Sequence, residues 1–110
     1  MQLPNRANAY ISPKKLREYL LSDTHPVGRF KSKVFMTVGF TEHNINSLRE
    51  GLLAIAYTNE VREESQGIYG RKYVLDGALP ASRGTFLQVR TVWIIDRGED
   101  TPRFVTAYPL

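Results

Sequence analysis

The spacing of apolar positions changes once along this chain, near residue 60. Before that point apolar residues recur at steps of three and four, the spacing that lines one face of an α-helix. After it they alternate, or run together in segments rich in β-branched and aromatic residues, which is the signature of strands. Ser12 and Pro13 open the first helical segment as N-cap and first helical residue, with Ile11 placed to staple onto Leu16; Leu16, Tyr19 and Leu20 carry its stripe to about Ser22. A polar turn over Asp23–Gly28 follows. A second helix is predicted over Arg29–Val38, with Phe30, Val34, Phe35 and Val38 facing the core and Gly39 as its stop. Thr41 caps the third helix, whose Ile45, Leu48, Leu52, Ile55 and Ala56 form the clearest helical stripe in the chain.

In the second half, Ile68–Leu79 reads as a strand with Tyr73 and Leu75 on one face and Lys72, Val74 and Asp76 on the other. Pro80–Gly84 turns into a long hairpin of TFLQVRTVWIID, the loop Asp96–Thr101 and RFVTAYP. Leu87, Val89, Trp93 and Ile95 share one face of the first arm and Phe86, Val92 and Ile94 the other, so its second half reads as buried on both sides. Arg90 and Thr91 interrupt this run, and Arg103, Thr106 and Tyr108 bring polar groups to the returning arm. Glu60, Glu63 and Glu64 read as a solvated acidic connector, with a short edge strand over 61–64 as the alternative. The order predicts an α+β domain over residues 1–110, with three N-terminal helices packed on one face of a three- to four-stranded antiparallel meander sheet.

Composition narrows the function. With 110 residues and 42% apolar content, the chain is large enough for one core without metals or disulfides. The absence of cysteine removes disulfides, thiolate nucleophiles and cysteine-type zinc sites. No segment approaches the roughly 18 apolar residues of a membrane span, and the first residues carry no apolar secretory core, so the expected location is cytoplasmic. The net charge of +4 is unevenly placed: residues 1–58 hold eight Lys and Arg against four Asp and Glu, whereas residues 59–110 hold seven of each. That excess permits RNA or an acidic protein as partner.

A Gly-rich phosphate loop, an HExxH helix and a GxSxG elbow are all missing, and His25 and His43 are too far apart to read as a ligand pair; no metal or cofactor is expected. Scattered acids count against paired-carboxylate glycosidase chemistry. The residues left are His25, Arg29, Lys31, Lys72, Arg90, Arg103, Thr106 and Tyr108. Metal-free RNA cleavage uses such a set, because the attacking 2′-hydroxyl needs a base, the leaving 5′-oxygen an acid, and the phosphorane donors for its extra charge. His25 titrates near neutrality. Arg29 and Lys31 stand at a predicted helix start, where phosphate binds. Arg90 and Arg103 suit bidentate contact with phosphate oxygens, with Lys72 as a further cation and Thr106 and Tyr108 as hydroxyl donors. Each has a structural alternative: His25 as a local capping residue, Arg90 paired with Asp76 or Glu18, Tyr108 packed through its ring, Lys72 on a solvated strand face. His43 reads as a surface residue.

Two segments, HPVGRFKSKVF at 25–35 and TVWIID with PRFVTAYP at 91–109, resemble a family of small bacterial domains of unassigned function, and the similarity spans nearly the whole chain. More distantly, the helices-then-sheet order and the terminal TAYP resemble the metal-independent ribonuclease toxins grouped as barnase, EndoU, colicin and RelE. EndoU-like members place a histidine and a lysine upstream and a threonine or serine and a tyrosine on late strands, so the resemblance implies catalytic roles for His25, Lys31, Thr106 and Tyr108. It departs from them in one respect: they use two histidines, and His43 does not match the second. The expectation is therefore a metal-independent endoribonuclease-like toxin, of toxin–antitoxin or toxin-tip type, held silent by an acidic antitoxin or immunity-type protein. The alternatives are a non-catalytic protein- or nucleic-acid-binding module and, less favoured, an accessory protein pairing through a sheet edge. Most aromatics fall on core stripes, which predicts no exposed stacking platform for single-stranded RNA.

Overall fold

The computed structural model describes residues 1–17, 35–81 and 84–110, and in it the change of hydrophobic period near residue 60 becomes a change of layer. Helix α1 is Pro13–Lys15. Ser12 occupies its N-cap position, but the side chain makes no capping hydrogen bond; the Ser12 carbonyl instead accepts from the backbone N–H groups of Lys15 and Leu16, at 3.0 and 3.3 Å. Ile11 and Leu16 are both buried in the core, as the staple requires. Helix α2 is described at 35–37, while its predicted start and the preceding polar turn lie outside the described residues.

The end of α2 shows how a glycine stops a helix. Gly39 adopts φ 101°, its N–H donates to the Met36 carbonyl, and the Phe40 N–H reaches back to the Phe35 carbonyl, each at 3.0 Å. The Phe35 and Phe40 rings meet edge-on at 6.4 Å, the apolar contact that accompanies this cap. A 3-10 turn, Glu42–Asn44, then leads into α3, Ile45–Thr58. Thr41 caps this unit reciprocally: its hydroxyl accepts from the His43 N–H at 3.2 Å, and its own N–H donates to the Asn44 side-chain oxygen at 2.7 Å. Leu48, Leu52, Ile55 and Ala56 are buried on the predicted stripe.

Four antiparallel strands follow in meander order: β1 Glu63–Gly67, β2 Gly70–Pro80, β3 Phe86–Asp96 and β4 Arg103–Pro109. This is the expected α+β architecture, with two local corrections. Glu63 and Glu64 are not connector: the short edge strand named as the alternative is present, shifted to 63–67, with these two residues opposite Val74 and Tyr73. An edge strand pairs through its backbone, so a fully exposed polar sequence such as EESQG can form one. Ile68 and Tyr69 are not strand but the two-residue turn between β1 and β2. Gly70 closes that turn with φ 147°, and any Cβ there would collide with the Ile95 carbonyl.

The inner face of the sheet carries Tyr73, Leu75 and Leu79 of β2, Val89, Trp93 and Ile95 of β3, and Phe104 and Ala107 of β4, all in one core with the helical residues. Gly77 lets α3 approach: a Cβ there would stand 2.9 Å from Ile55 and 2.8 Å from the Asn59 amide, which donates to the Asp76 carbonyl at 2.8 Å. Trp93, fully buried, meets Phe104 edge-on at 5.3 Å. Its indole N–H donates to the Thr91 hydroxyl at 2.9 Å, and that hydroxyl donates to the Leu75 carbonyl at 2.8 Å. Thr91 therefore interrupts the apolar run for a structural reason, satisfying a buried tryptophan.

Coverage of β3 is uneven. Val89, Thr91, Trp93 and Ile95 are buried beneath the helices, whereas on the outer face only Ile94 is buried, Val92 is half-buried and Phe86 is exposed. Ile94 stands in register between Lys72 and Arg103, side chains whose long stems can cover apolar surface without a second layer. Replacing Thr91 by Val keeps shape but strands the indole N–H. The expected loss is about 1–3 kcal/mol, with a smaller loss for Thr91→Ser, read as the shift in urea midpoint at unchanged slope.

Candidate functional site on the outer sheet face

The outer face brings together the strand residues singled out by their chemistry. Residues opposite one another in an antiparallel pair project to the same side, and the register places Asp76, Arg90 and Tyr108 in one row, Val74, Val92 and Thr106 in the next, and Lys72, Ile94 and Arg103 in a third. Rows two residues apart along a strand are separated by about 7 Å, so Tyr108 and Arg103 lie within roughly 14 Å.

That convergence depends on an irregularity. Thr106 pairs with Val92 but Phe104 pairs with Trp93, leaving Val105 as an extra residue in β4. Without the bulge Phe104, Thr106 and Tyr108 would share a face by simple alternation. With it, Phe104 enters the core while Arg103, Thr106 and Tyr108 all face outward.

The electrostatics are equally specific. Arg90 engages Asp76 through two parallel bonds, Nε to Oδ1 at 2.7 Å and a terminal nitrogen to Oδ2 at 2.9 Å, and its guanidinium also meets the Tyr108 hydroxyl. The pairing with Asp76 named as the alternative for Arg90 is thus present. Asp76 additionally lies 3.6 Å from Arg62, so the triple of Arg62, Asp76 and Arg90 carries a net charge of +1. Arg103 repeats the motif with Asp96, at 3.0 Å for both bonds. The Arg90 hydrogen bond, with the Arg62 charge adding to it, holds the Asp76 carboxyl below the usual carboxylate range. Arg103 does the same for Asp96, and Arg90 is held still more firmly protonated by Asp76.

Of the eight candidates, Lys72, Arg90, Arg103, Thr106 and Tyr108 thus share one face, while His25, Arg29 and Lys31 lie outside the described residues. His43 is exposed, as expected. Asp96, expected in the hairpin loop, is the last residue of β3, and no spacing signal marks Arg62; the hairpin loop lengths carry the register that aligns the acids with the arginines. Phe35, Phe40, Tyr73, Trp93 and Phe104 are buried as expected, but Tyr10, Tyr57, Tyr69 and Phe86 are exposed: Tyr69 lies in the β1–β2 turn, Phe86 opens β3 and Tyr57 stands near the end of α3. Among the described residues no cluster of three or more His, Asp or Glu could hold a metal ion, and no helix is long and apolar enough to cross a membrane.

These features define a small α+β domain whose antiparallel meander is helix-covered on one side and carries ion-paired arginines and hydroxyls on the other. The chain belongs to the family described as "Domain of unknown function (DUF6883)", whose model matches residues 2–110. No curated protein matches it. Among solved structures it is similar to a chain of the contact-dependent growth inhibition toxin–immunity protein complex from Klebsiella pneumoniae 342, with a TM-score of 0.74 and 16% identity over 96% of each chain. At that identity the likeness is one of fold.

Both carboxylates titrate below their unfolded values, so their contribution to stability is present above the unfolded pKa, near 3.9, and is lost as pH falls through the depressed folded values. Urea midpoints of the wild type are expected to stay level above about pH 5 and drop below pH 4. In a chain carrying Asp76→Asn and Asp96→Asn the midpoint should start lower and fall less over the same range.

Proposed function

We propose that this domain is a metal-independent endoribonuclease-like toxin, of toxin–antitoxin or toxin-tip type, that cleaves RNA through attack of a 2′-hydroxyl on the adjacent phosphate. The observation carrying this reading is the gathering of Arg90, Arg103, Lys72, Thr106 and Tyr108 on one sheet face, produced by the Val105 bulge. A bulge that re-aims side chains is a recurrent feature beside active sites. The fold likeness to a chain of a toxin–immunity complex supports a toxin-type role and a protein partner of the immunity type.

In this reading Arg90 binds a phosphate oxygen. Two of its five N–H donors hold Asp76, which orients the guanidinium plane and leaves the others for Tyr108 and substrate. The Tyr108 and Thr106 hydroxyls donate to the charge that develops on the phosphorane. Arg103 and Lys72 hold the neighbouring phosphate. His25 takes the 2′-hydroxyl proton or supplies one to the leaving 5′-oxygen, and Lys31 and Arg29 bring further positive charge. No step uses a metal.

A second reading, a non-catalytic module binding protein or nucleic acid, draws on a specific observation as well. Both arginines on the face are engaged bidentately by carboxylates, as in a structural ion-pair network. The readings separate on purified protein incubated with total RNA, with and without EDTA. The expected outcome is cleavage indifferent to EDTA and reduced about 100-fold or more in His25→Ala and in Tyr108→Phe, the size of a lost acid–base or donor group. Folded protein that binds RNA without ever cleaving it would sink the ribonuclease reading.

A further inference from the structure

The turn joining β1 to β2 stands apart from the rest of the surface. Ile68 and Tyr69 are each 76% exposed, more than any other large apolar or aromatic residue described. The turn is nevertheless fixed, because the Tyr69 carbonyl accepts the Arg97 N–H at 2.8 Å, tying it to the neighbouring β3–β4 turn. Open clefts of about 300 and 260 Å³ flank it, the first between the two turns beside Arg71 and Arg97, the second on the outer face between Tyr69, Ser65, Lys72 and Ile94.

Charge decides what fits there. Arg71, Lys72 and Arg97 are exposed, and among the described residues none of them pairs with a carboxylate within 4.0 Å. Of the acids at this end, Asp96 is taken by Arg103, Glu99 lines the first cleft with Arg71 and Arg97 and is followed by Asp100 in the same loop, and the second cleft has Lys72 and no acid. An exposed aromatic ring on a fixed turn, beside an unpaired cation, is an arrangement that holds single-stranded nucleic acid, with a base on the ring and a phosphate on the cation. A purely apolar protein anchor would not need the cation. The second cleft also opens onto Lys72, the end of the row of donors that runs from Arg90 and Tyr108 through Thr106 to Arg103.

We infer that the β1–β2 turn is a single-strand subsite of the proposed RNA-contacting face, in which Tyr69 stacks on an unpaired base while Lys72, on the same face, holds the adjoining phosphate. This rests on the outer face contacting RNA and extends that contact to the end of the sheet. It makes single-stranded or loop RNA the substrate class, since a base inside a duplex is not free to stack on a side chain.

The test is fluorescence anisotropy of a short labelled 2′-O-methyl RNA of mixed sequence, which cannot be cleaved by its own 2′-oxygen. Tyr69→Ala is expected to weaken binding about 5- to 100-fold, and Tyr69→Phe to preserve it. Lys72→Gln should lower the slope of log affinity against log salt by about 0.7, whereas Arg71→Gln, on the other face of the sheet, should leave it unchanged. Equal affinity for wild type and Tyr69→Ala, in a chain that cleaves RNA, would overturn the subsite and leave the ribonuclease reading standing. Lost affinity in Tyr69→Ala, in a chain that never cleaves RNA, would support the subsite and remove the ribonuclease reading. Failure of the wild type to bind RNA at all would overturn both and leave the turn as an anchor for a protein.

Discussion

A single unpaired residue, Val105, sets the side of the sheet on which the rest of β4 falls. A one-residue shift in strand register exchanges the faces of every side chain beyond it. Here the shift is used once, between Phe104 and Thr106, so the aromatic half of the RFVTAYP segment completes the core against Trp93 while the hydroxyl half faces away from it. The core depends on the same point. Trp93 is enclosed by Phe104 on β4 and satisfied by Thr91 on its own strand, and Thr91 is held in turn by the β2 backbone. The bulge thus couples the packing of the helical layer to the composition of the opposite face.

The outer face is held by charge rather than by a second layer. Arg90 and Arg103 each meet a carboxylate on a neighbouring strand or at the adjoining turn, in the forked geometry that fixes a guanidinium plane. Such pairs contribute little to stability when half-exposed, but they determine orientation. Because Asp76 is shared between Arg62 and Arg90, the row retains positive charge after pairing. The face is therefore rigid and cationic together, a combination that serves binding whether or not chemistry follows.

Much of this architecture is legible in the chain because its signals are redundant. The stripe of α3, the Gly39 stop and the hairpin arms each combine periodicity with capping or turn residues, and each is present in the structure. What escapes sequence reasoning escapes for definite reasons. Nothing in Arg103-Phe104-Val105-Thr106 marks a bulge, since no glycine or proline is involved and the extra residue is itself a strand former. Thr91 beside Arg90 reads as one polar interruption, yet alternation sends the two to opposite faces, one to a buried indole and the other to the candidate site. Glu63 and Glu64 look like linker because β-propensity describes half-buried strands, and β1 is buried on neither side.

The two edges of the sheet are treated differently. Along β4, Tyr10 adds a parallel bridge at Arg103 and exchanges backbone hydrogen bonds with Pro102 and Phe104, covering the start of the strand. Along β1, Glu63 and Glu64 are exposed on the rim, and no described strand pairs on its outer side. If two molecules met antiparallel through this rim, full overlap would set Glu63 opposite Gly67 and Glu64 opposite Gln66, whereas any register that brought the acids against one another would be disfavoured by like charge. The edge therefore discriminates by register and sign: it narrows the ways in which a copy of itself can pair, while leaving the backbone open to a strand that arrives with positive charge.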